Sequence, residues 1–182
     1  MSSFSLAGKT LGIVGLGNIG SLVAHRAEAF GMKIVFADPH RTKPTTSDWA
    51  RESFGRLLTL SDYITFHVHL DSETRGMLSY SEFELLEKKP FVINVSRAEL
   101  IDRGAALHAL KTGYIRGLAM DAQYDEPSKS EDPLFSFDNT LFSPHVAGST
   151  RDSYRETLHA CIHNIGEAMR GGPVRGRLPV AN

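Results

Sequence analysis

The sequence predicts an α/β fold: a doubly wound, mostly parallel sheet with helices on both faces. Three observations predict it. A short apolar run, Thr10-Leu11-Gly12-Ile13-Val14, enters the glycine cluster Gly15-Leu16-Gly17-Asn18-Ile19-Gly20 and leaves it at helical spacing. A second apolar run, Lys33-Ile34-Val35-Phe36-Ala37, follows Gly31 and ends on Asp38, 18 residues beyond Gly20. Further along, segments of strand character alternate with amphipathic ones, the pattern of βαβ units around a parallel sheet whose ligands sit at the carboxyl ends of its strands.

Length and charge bound the function. At 182 residues and 41% hydrophobic content the chain can bury one sizeable core. We therefore expect a single domain over 1–182, its core at about 5–150 and a C-terminal amphipathic helix and tail over 151–182. Twenty Lys+Arg against 21 Asp+Glu give a net charge of −1 without a basic block, which argues against nucleic acid or an anionic membrane as main partner. No apolar run approaches the roughly 20 residues that span a bilayer. Met1-Ser2-Ser3-Phe4-Ser5 lacks the basic and apolar regions of a signal peptide. Cys161 alone can form no intrachain disulfide and fits a reducing cytosol, so a cytoplasmic protein is expected.

Taken in order, Ser5 to Lys9 is a polar lead-in to the first strand. Ile19, Leu22, Val23, Ala27 and Phe30 then recur at helical spacing and predict an apolar stripe laid on the sheet. Pro39 to Asp48, rich in Pro, Thr and Lys, reads as a loop. Ser53 to Leu58 reads as a short helix, and Tyr63 to Val68, rich in β-branched and aromatic residues, as a strand. Ser79-Tyr80-Ser81-Glu82 matches a capping box for a helix through about Glu87, and Phe91 to Val95 is the next strand. Asp102 caps a helix carrying Ala106, Leu107 and Leu110 that stops at Thr112-Gly113. Ile115 to Met120 and Thr140 to Phe142 are the last strands. From Arg151 to about Met169, Tyr154, Leu158, Cys161, Ile162, Ile165 and Met169 mark one face of a long helix, which makes Cys161 a core thiol. His159 and His163, four apart, read as a pair on that helix's surface, and no metal site is expected.

The glycine cluster reads as a dinucleotide-binding turn of the Rossmann type. Gly15 lets the chain turn tightly at the strand end. Gly17 lets the backbone approach a pyrophosphate, and Gly20 lets the new helix pack on the strand. The helix N-terminus then offers unpaired N–H groups and a positive dipole end to phosphates. Asp38 stands where a carboxylate accepts hydrogen bonds from the adenosine ribose, which favours NAD, although Arg41 just beyond could meet a 2′-phosphate.

Three polar residues follow separate strands: Arg97, Glu126 and His145. A doubly wound sheet gathers such positions at one edge, facing the nicotinamide end of the cofactor. Together they meet the needs of hydride transfer to a 2-oxo acid. The planar fork of Arg97 can hold a carboxylate and polarise a carbonyl, and His145 can supply a proton to the new alkoxide near neutral pH. Glu126 beside that imidazole would stabilise its protonated form.

On these residues the chain resembles the nucleotide-binding domain of the D-isomer-specific 2-hydroxyacid dehydrogenases, the family of D-lactate, D-glycerate, phosphoglycerate and formate dehydrogenases. The resemblance is carried by Leu6 to Gly20, Ala29-Phe30-Gly31-Met32, Asp38-Pro39, Ser61-Asp62, His67-Val68-His69-Leu70, Ile93 to Arg97, Asp121 to Pro127 and Ser143 to Thr150. It implies that Arg97 is the substrate-binding arginine, Glu126 its carboxylate partner, His145 the acid/base histidine, and Asp38 the ribose-binding acid. It places Asp121 near the nicotinamide carboxamide, with a buried capping aspartate as the alternative. The implied cofactor contacts are Gly15, Gly17, Asn18, Ile19, Gly20, Asp38, His67, Val95, Ser96, Asp121, His145 and Gly148.

The chain departs from the family pattern in three places. Ala98 stands where glycine usually follows the arginine, which would shift Arg97 if that position needed a positive φ. His69 replaces the usual proline of the H-x-P-L stretch. The long segment that in the family precedes this domain and builds most of a substrate-binding domain has almost no counterpart here. The implied function is an NAD-dependent oxidoreductase acting on a 2-hydroxy/2-oxo acid pair and forming a homodimer, weak or inactive without that substrate domain. An NAD-sensing module without turnover, in the manner of the corepressors that share the fold, is the second reading.

Overall fold

The computed structural model describes residues 5–41 and 48–176. Its contacts divide the chain into two compact units, Met1–His145 and Val146–Asn182. The larger unit carries the sheet. Strands β1 (Thr10–Val14), β2 (Lys33–Ala37), β3 (Ala50–Arg51), β4 (Tyr63–Phe66), β5 (Phe91–Asn94), β6 (Gly117–Met120) and β7 (Thr140–Phe142) run parallel in the order β3-β2-β1-β4-β5-β6-β7. The strand order reverses between β1 and β4, so a crevice opens at their carboxyl ends.

Side chains of β1 and β2 alternate between two cores, as a strand's period of two requires. Leu11, Ile13, Ile34 and Phe36 join Ala24 and Ala27 of helix α1 (Asn18–Ala29) on one face. Val14 and Val35 join Leu57 and Leu58 of α2 (Phe54–Leu60) on the other. That second core extends through Phe83 of α3 (Tyr80–Glu84) to Ala105, Ala106, Ala109 and Leu110 of α4 (Arg103–Thr112). The helix caps form where the sequence places them. Ser53 accepts from the Arg56 N–H, Ser79 and Glu82 close a capping box, Asp102 accepts from the Ala105 N–H, and Gly113 ends α4 at φ 74°.

The stripe expected on α1 is corrected. Its buried face is Gly20, Ala24 and Ala27, whereas Ile19, Leu22 and Phe30 are 65%, 54% and 64% exposed. The cause is close approach. A Cβ on Gly20 would stand 2.1 Å from the Gly15 carbonyl oxygen, so the helix meets the strand through its small residues there; of the expected stripe Ala27 and Val23 meet the core, while Ile19, Leu22 and Phe30 turn outward. Several ends also move. β4 stops at Phe66 because His67 and Val68 leave the sheet to pack against Gly15, and β5 stops at Asn94. β6 begins at Gly117, and α3 ends at Glu84. The two-residue β3, paired with Val35 and Phe36, is too short to leave a pattern in sequence. Residues 42–47 of the expected loop lie outside the described residues.

The smaller unit is built on α5 (Arg151–Met169), capped by Thr150 and Ser153. Its expected apolar face is present, but no residue of the helix is buried, and Cys161 is an exposed thiol rather than a core one. Along the helix Tyr154, Leu158, Ile162, Ile165 and Met169 are all exposed. The Asn164 amide clasps the Arg175 backbone, donating to its carbonyl and accepting from its N–H. His159 and His163 are exposed and line a hollow of about 570 Å³ with Arg155, Glu156 and Arg175. No helix among the described residues is long and apolar enough to cross a membrane.

Candidate active site

The glycine turn divides its labour as the spacing predicts. Gly15 adopts φ 90°, and a Cβ there would meet a Val68 methyl at 2.6 Å and the His67 carbonyl at 2.7 Å. Gly17, the N-cap of α1, has no atom within 4 Å of where a Cβ would stand. Its missing side chain therefore serves no packing and leaves open space at the helix N-terminus, as a pyrophosphate approaching the backbone needs. Asn18 and Ile19 begin the helix beside it and are exposed.

Asp38 ends β2 next to this turn. Its Oδ2 accepts the Leu16 N–H at 2.8 Å, and Oδ1 accepts the N–H groups of His40 and Arg41 at 2.8 and 3.0 Å. Burial alone would raise its pKa, but these three donors outweigh it and hold the carboxyl below the ordinary aspartate range. Oδ2 keeps a free lone pair for a ribose hydroxyl. The open space at Gly17 and this fixed carboxylate fit a dinucleotide.

The next groups sit at the carboxyl ends of β4 and β5. His67 is held by a 3.0 Å contact between its Nε2 and the Thr65 hydroxyl, and burial lowers its pKa to about 4, so the ring is neutral near pH 7. The Ser96 hydroxyl donates to the Phe66 carbonyl at 2.9 Å, tying the two strand ends together, and Val95 beside it is 39% exposed. Asn94, 1% exposed and not singled out from sequence, shapes the turn that presents Arg97. Its Oδ1 accepts the Ser96 N–H at 3.0 Å and its Nδ2 donates to the Arg97 carbonyl at 2.8 Å. Ala98 follows in a buried 3-10 turn, Ala98–Leu100, without a positive φ, so the alanine displaces nothing. His69 is exposed, and its carbonyl accepts from Thr74 Oγ1 at 2.7 Å.

Beyond β6 and β7 the structure brings Glu126 and His145 together. The His145 Nδ1 lies 2.9 and 3.0 Å from the two Glu126 carboxylate oxygens. His145 adopts φ 53°, a left-handed conformation that histidine visits rarely, and its N–H donates to the Asp121 carbonyl at 2.9 Å. Asp121 is 4% exposed and accepts the Ser143 hydroxyl at 2.6 Å. The Gln123 N–H donates to Glu126 at 3.0 Å, and the Gln123 amide donates to the Ser143 carbonyl at 3.1 Å. The hydrogen bond to His145, then the Gln123 N–H and the charge of Arg97, hold the Glu126 carboxyl below the ordinary glutamate range. Arg97, Gln123, Tyr124, Glu126 and His145 line one hollow of about 260 Å³. It is smaller than the hollow on α5, but an anion-binding fork, a carboxylate and an imidazole converge in it. Such a set can hold a carboxylate and pass a proton. Gly148 belongs to the second unit, where its carbonyl accepts the Ser153 hydroxyl at 2.6 Å.

Residues 1–147 match the family model described as D-isomer specific 2-hydroxyacid dehydrogenase, NAD binding domain. A glyoxylate reductase of Aeropyrum pernix is 37% identical over 167 residues, which cover 91% of this chain and 50% of that relative. Among solved structures, a glyoxylate reductase from Paecilomyes thermophila superposes with a TM-score of 0.90 at 28% identity, covering 98% of this chain and 55% of the other. The NAD-complexed D-isomer specific 2-hydroxyacid dehydrogenase of Lactobacillus delbrueckii ssp. bulgaricus gives a TM-score of 0.88 at 25% identity, covering 98% and 58%. The chain thus spans about half the length of the proteins it matches. Its sheet, its glycine turn and the match over residues 1–147 make the chain a member of the D-isomer specific 2-hydroxyacid dehydrogenases, whose NAD-binding domain it contains.

Proposed function

We propose that this chain serves hydride transfer between NAD(H) and a D-2-hydroxy acid/2-oxo acid pair. The observation that carries the reading is the convergence of Arg97, Glu126 and His145 on one hollow at the carboxyl edge of the sheet. Gly15, Gly17 and the N–H groups at Asn18 and Ile19 would hold the pyrophosphate, and Asp38 the adenosine ribose. Gly20 keeps the helix close to the strand, and Val95, Ser96, His67 and Asp121 complete the proposed contacts. NAD, when bound, supplies or accepts the hydride. The remaining work belongs to the chain. Arg97 fixes the substrate carboxylate with its fork and draws charge toward the carbonyl oxygen. His145 delivers a proton to that oxygen in reduction and removes it in oxidation. Glu126, by occupying Nδ1, fixes the ring and leaves Nε2 to face substrate.

Turnover is favoured over a purely sensing role because the similar proteins bear the names of reductases and dehydrogenases. The test is NADH oxidation with glyoxylate, hydroxypyruvate and pyruvate by the chain joined to the remaining half of a relative. Loss of turnover in His145→Ala, with NADH still bound, supports the assignment. A fusion that binds both ligands and turns neither over favours the sensing module. We further propose a cytoplasmic homodimer, supported by large apolar side chains left exposed, among them Leu141 at 71%. Sedimentation at micromolar concentration giving only monomer overturns the dimer.

A further inference from the structure

We propose that Arg103 is a positioning residue for the pair Glu126 and His145: it fastens the loop that carries Glu126 to the start of α4. The proposal rests on the catalytic reading of that pair for its consequence, but on independent geometry for its substance.

After β6 the chain runs from Asp121 to Asp132 without helix or strand before the 3-10 turn Pro133–Ser136. Glu126 lies within this stretch, and among the described residues its carboxylate is held by the Gln123 N–H and His145. Two short contacts do not fix an exposed loop, because every backbone residue held in place loses conformational entropy. Arg103 supplies what is missing, on both sides of Glu126. Its Nη2 lies 2.8 Å from Asp132 Oδ2, and its Nη1 lies 3.5 Å from Asp125 Oδ2. Its guanidinium carbon stands 5.6 Å from the centre of the Tyr124 ring. The Tyr124 hydroxyl in turn donates to the Ile101 carbonyl at 2.8 Å, a second tie to the same end of α4. The Asp132 side chain is only 8% exposed and also accepts the Leu134 N–H at 2.9 Å, so the anchor at that end is itself held.

The residue type suits the task. One planar guanidinium can bond two carboxylates and lie over an aromatic face at once, whereas an ammonium offers a single point charge. An ordinary exposed ion pair is screened by water and contributes little. Here the cation closes a ring of contacts that includes a mostly buried carboxylate, and the enclosed segment is the one bearing the proposed partner of the acid/base histidine.

The test reads Glu126 directly, in the unmodified chain, without substrate. The carboxyl carbon of Glu126 is followed by 13C NMR as pH is varied, its signal assigned with Glu126→Gln. In the wild type it titrates below the ordinary glutamate range, because the carboxylate meets His145. In Arg103→Ala the titration moves up toward the ordinary value as the contact loosens, and Arg103→Lys restores part of the displacement. Asp132→Asn removes the anchor from the other side and moves the signal the same way, which decides the matter if Arg103→Ala fails to fold. A Glu126 titration unchanged in folded Arg103→Ala or Asp132→Asn overturns the proposal. An upward move in Leu110→Ala, a core variant remote from the loop, equal to that in Arg103→Ala also overturns it, since general loosening would then suffice. If the titration depends on Arg103 but His145 proves dispensable for turnover, the clamp stands and the catalytic reading falls.

Discussion

Glu126 embraces the imidazole of His145 with both carboxylate oxygens, at 2.9 and 3.0 Å from Nδ1, across 19 residues of sequence. The contact exists because β6 and β7 are parallel neighbours whose carboxyl ends open side by side. Because the imidazole holds the Glu126 carboxyl below its ordinary range, the carboxylate stays ionised down to acid pH, and the pairing is lost only as pH falls through that lowered pKa. Glu126→Gln removes the charge and keeps the shape. In an assembled enzyme it should lower kcat by about 10²-fold with little change in NADH affinity. Equal kcat in the two proteins would remove Glu126 from the chemistry.

His67 makes a prediction about stability that needs no substrate. Burial lowers its folded-state pKa to about 4, against 6.5 for the free side chain. Above pH 6.5 both folded and unfolded forms are neutral, and the group favours neither. As pH falls from 6.5 toward 4 the unfolded chain takes up the proton first, so stability declines, by at most about 1.4 kcal/mol per pH unit. Below about 4 the loss levels off. Urea unfolding of the wild type and His67→Gln across this range checks the point. The wild type should lose stability faster, and parallel curves would contradict the burial of this ring.

Gly17 and Gly20 separate binding from folding. A side chain at Gly17 meets no protein atom within 4 Å, so Gly17→Val should melt near the wild-type temperature while NADH binding is lost. A Cβ at Gly20 would stand 2.1 Å from the Gly15 carbonyl oxygen. Gly20→Ala should therefore destabilise the fold by roughly 1–3 kcal/mol, the usual cost of overpacking. Thermal melts and cofactor-sensitised quenching of the buried Trp49 distinguish the two. Retained binding in Gly17→Val would mean that the pyrophosphate lies elsewhere.

Local rules explain why so much was legible beforehand. Ser79 and Asp102 announce helix starts because a cap needs only its own next three residues, and the apolar runs of β1, β2 and β5 are the mark of strands buried in a parallel sheet. What was missed depends on distant partners. The α1 stripe reads as an inward face by period alone, yet the contact between Gly20 and Gly15 rotates the small residues inward. Asn94 and Gln123 lie within stretches that carry the resemblance, yet nothing in their spacing assigns them a role, and Arg103 lies in no motif. Their roles arise where the ends of β5, β6 and β7 and the start of α4 meet, which topology decides and spacing does not. Cys161 sits on an apolar stripe, and only the structure says that the stripe is uncovered.

Cofactor choice should follow Asp38. Its carboxylate is ionised at neutral pH and fixed by three backbone donors, so it offers an acceptor to a ribose hydroxyl and repels a 2′-phosphate. NADH should bind more tightly than NADPH by roughly tenfold or more, a difference of about 1.4 kcal/mol. Asp38→Ala should weaken NADH and narrow the gap. Equal affinities in the wild type would shift the assignment to Arg41 and to Arg51, whose guanidinium donates to the Asp38 carbonyl at 3.2 Å.

Rate and binding should part company in the 182-residue polypeptide itself, because it spans half the length of the glyoxylate reductase it matches. A hollow of about 260 Å³ open on the surface leaves Arg97 facing water, which screens its pull on a substrate carboxylate. Orientation of substrate against the nicotinamide is also unsupported, and orientation accounts for as much as about 7–11 kcal/mol of a barrier. The polypeptide should therefore bind NADH and oxidise it slowly or not at all with glyoxylate, hydroxypyruvate or pyruvate. Joined to the remaining half of a relative, it should turn over, and His145→Ala in that fusion should cost about 10²–10⁴ in rate. Absorbance of NADH follows all three proteins. Robust turnover by the polypeptide alone would mean that Arg97, Glu126 and His145 already hold the substrate unaided.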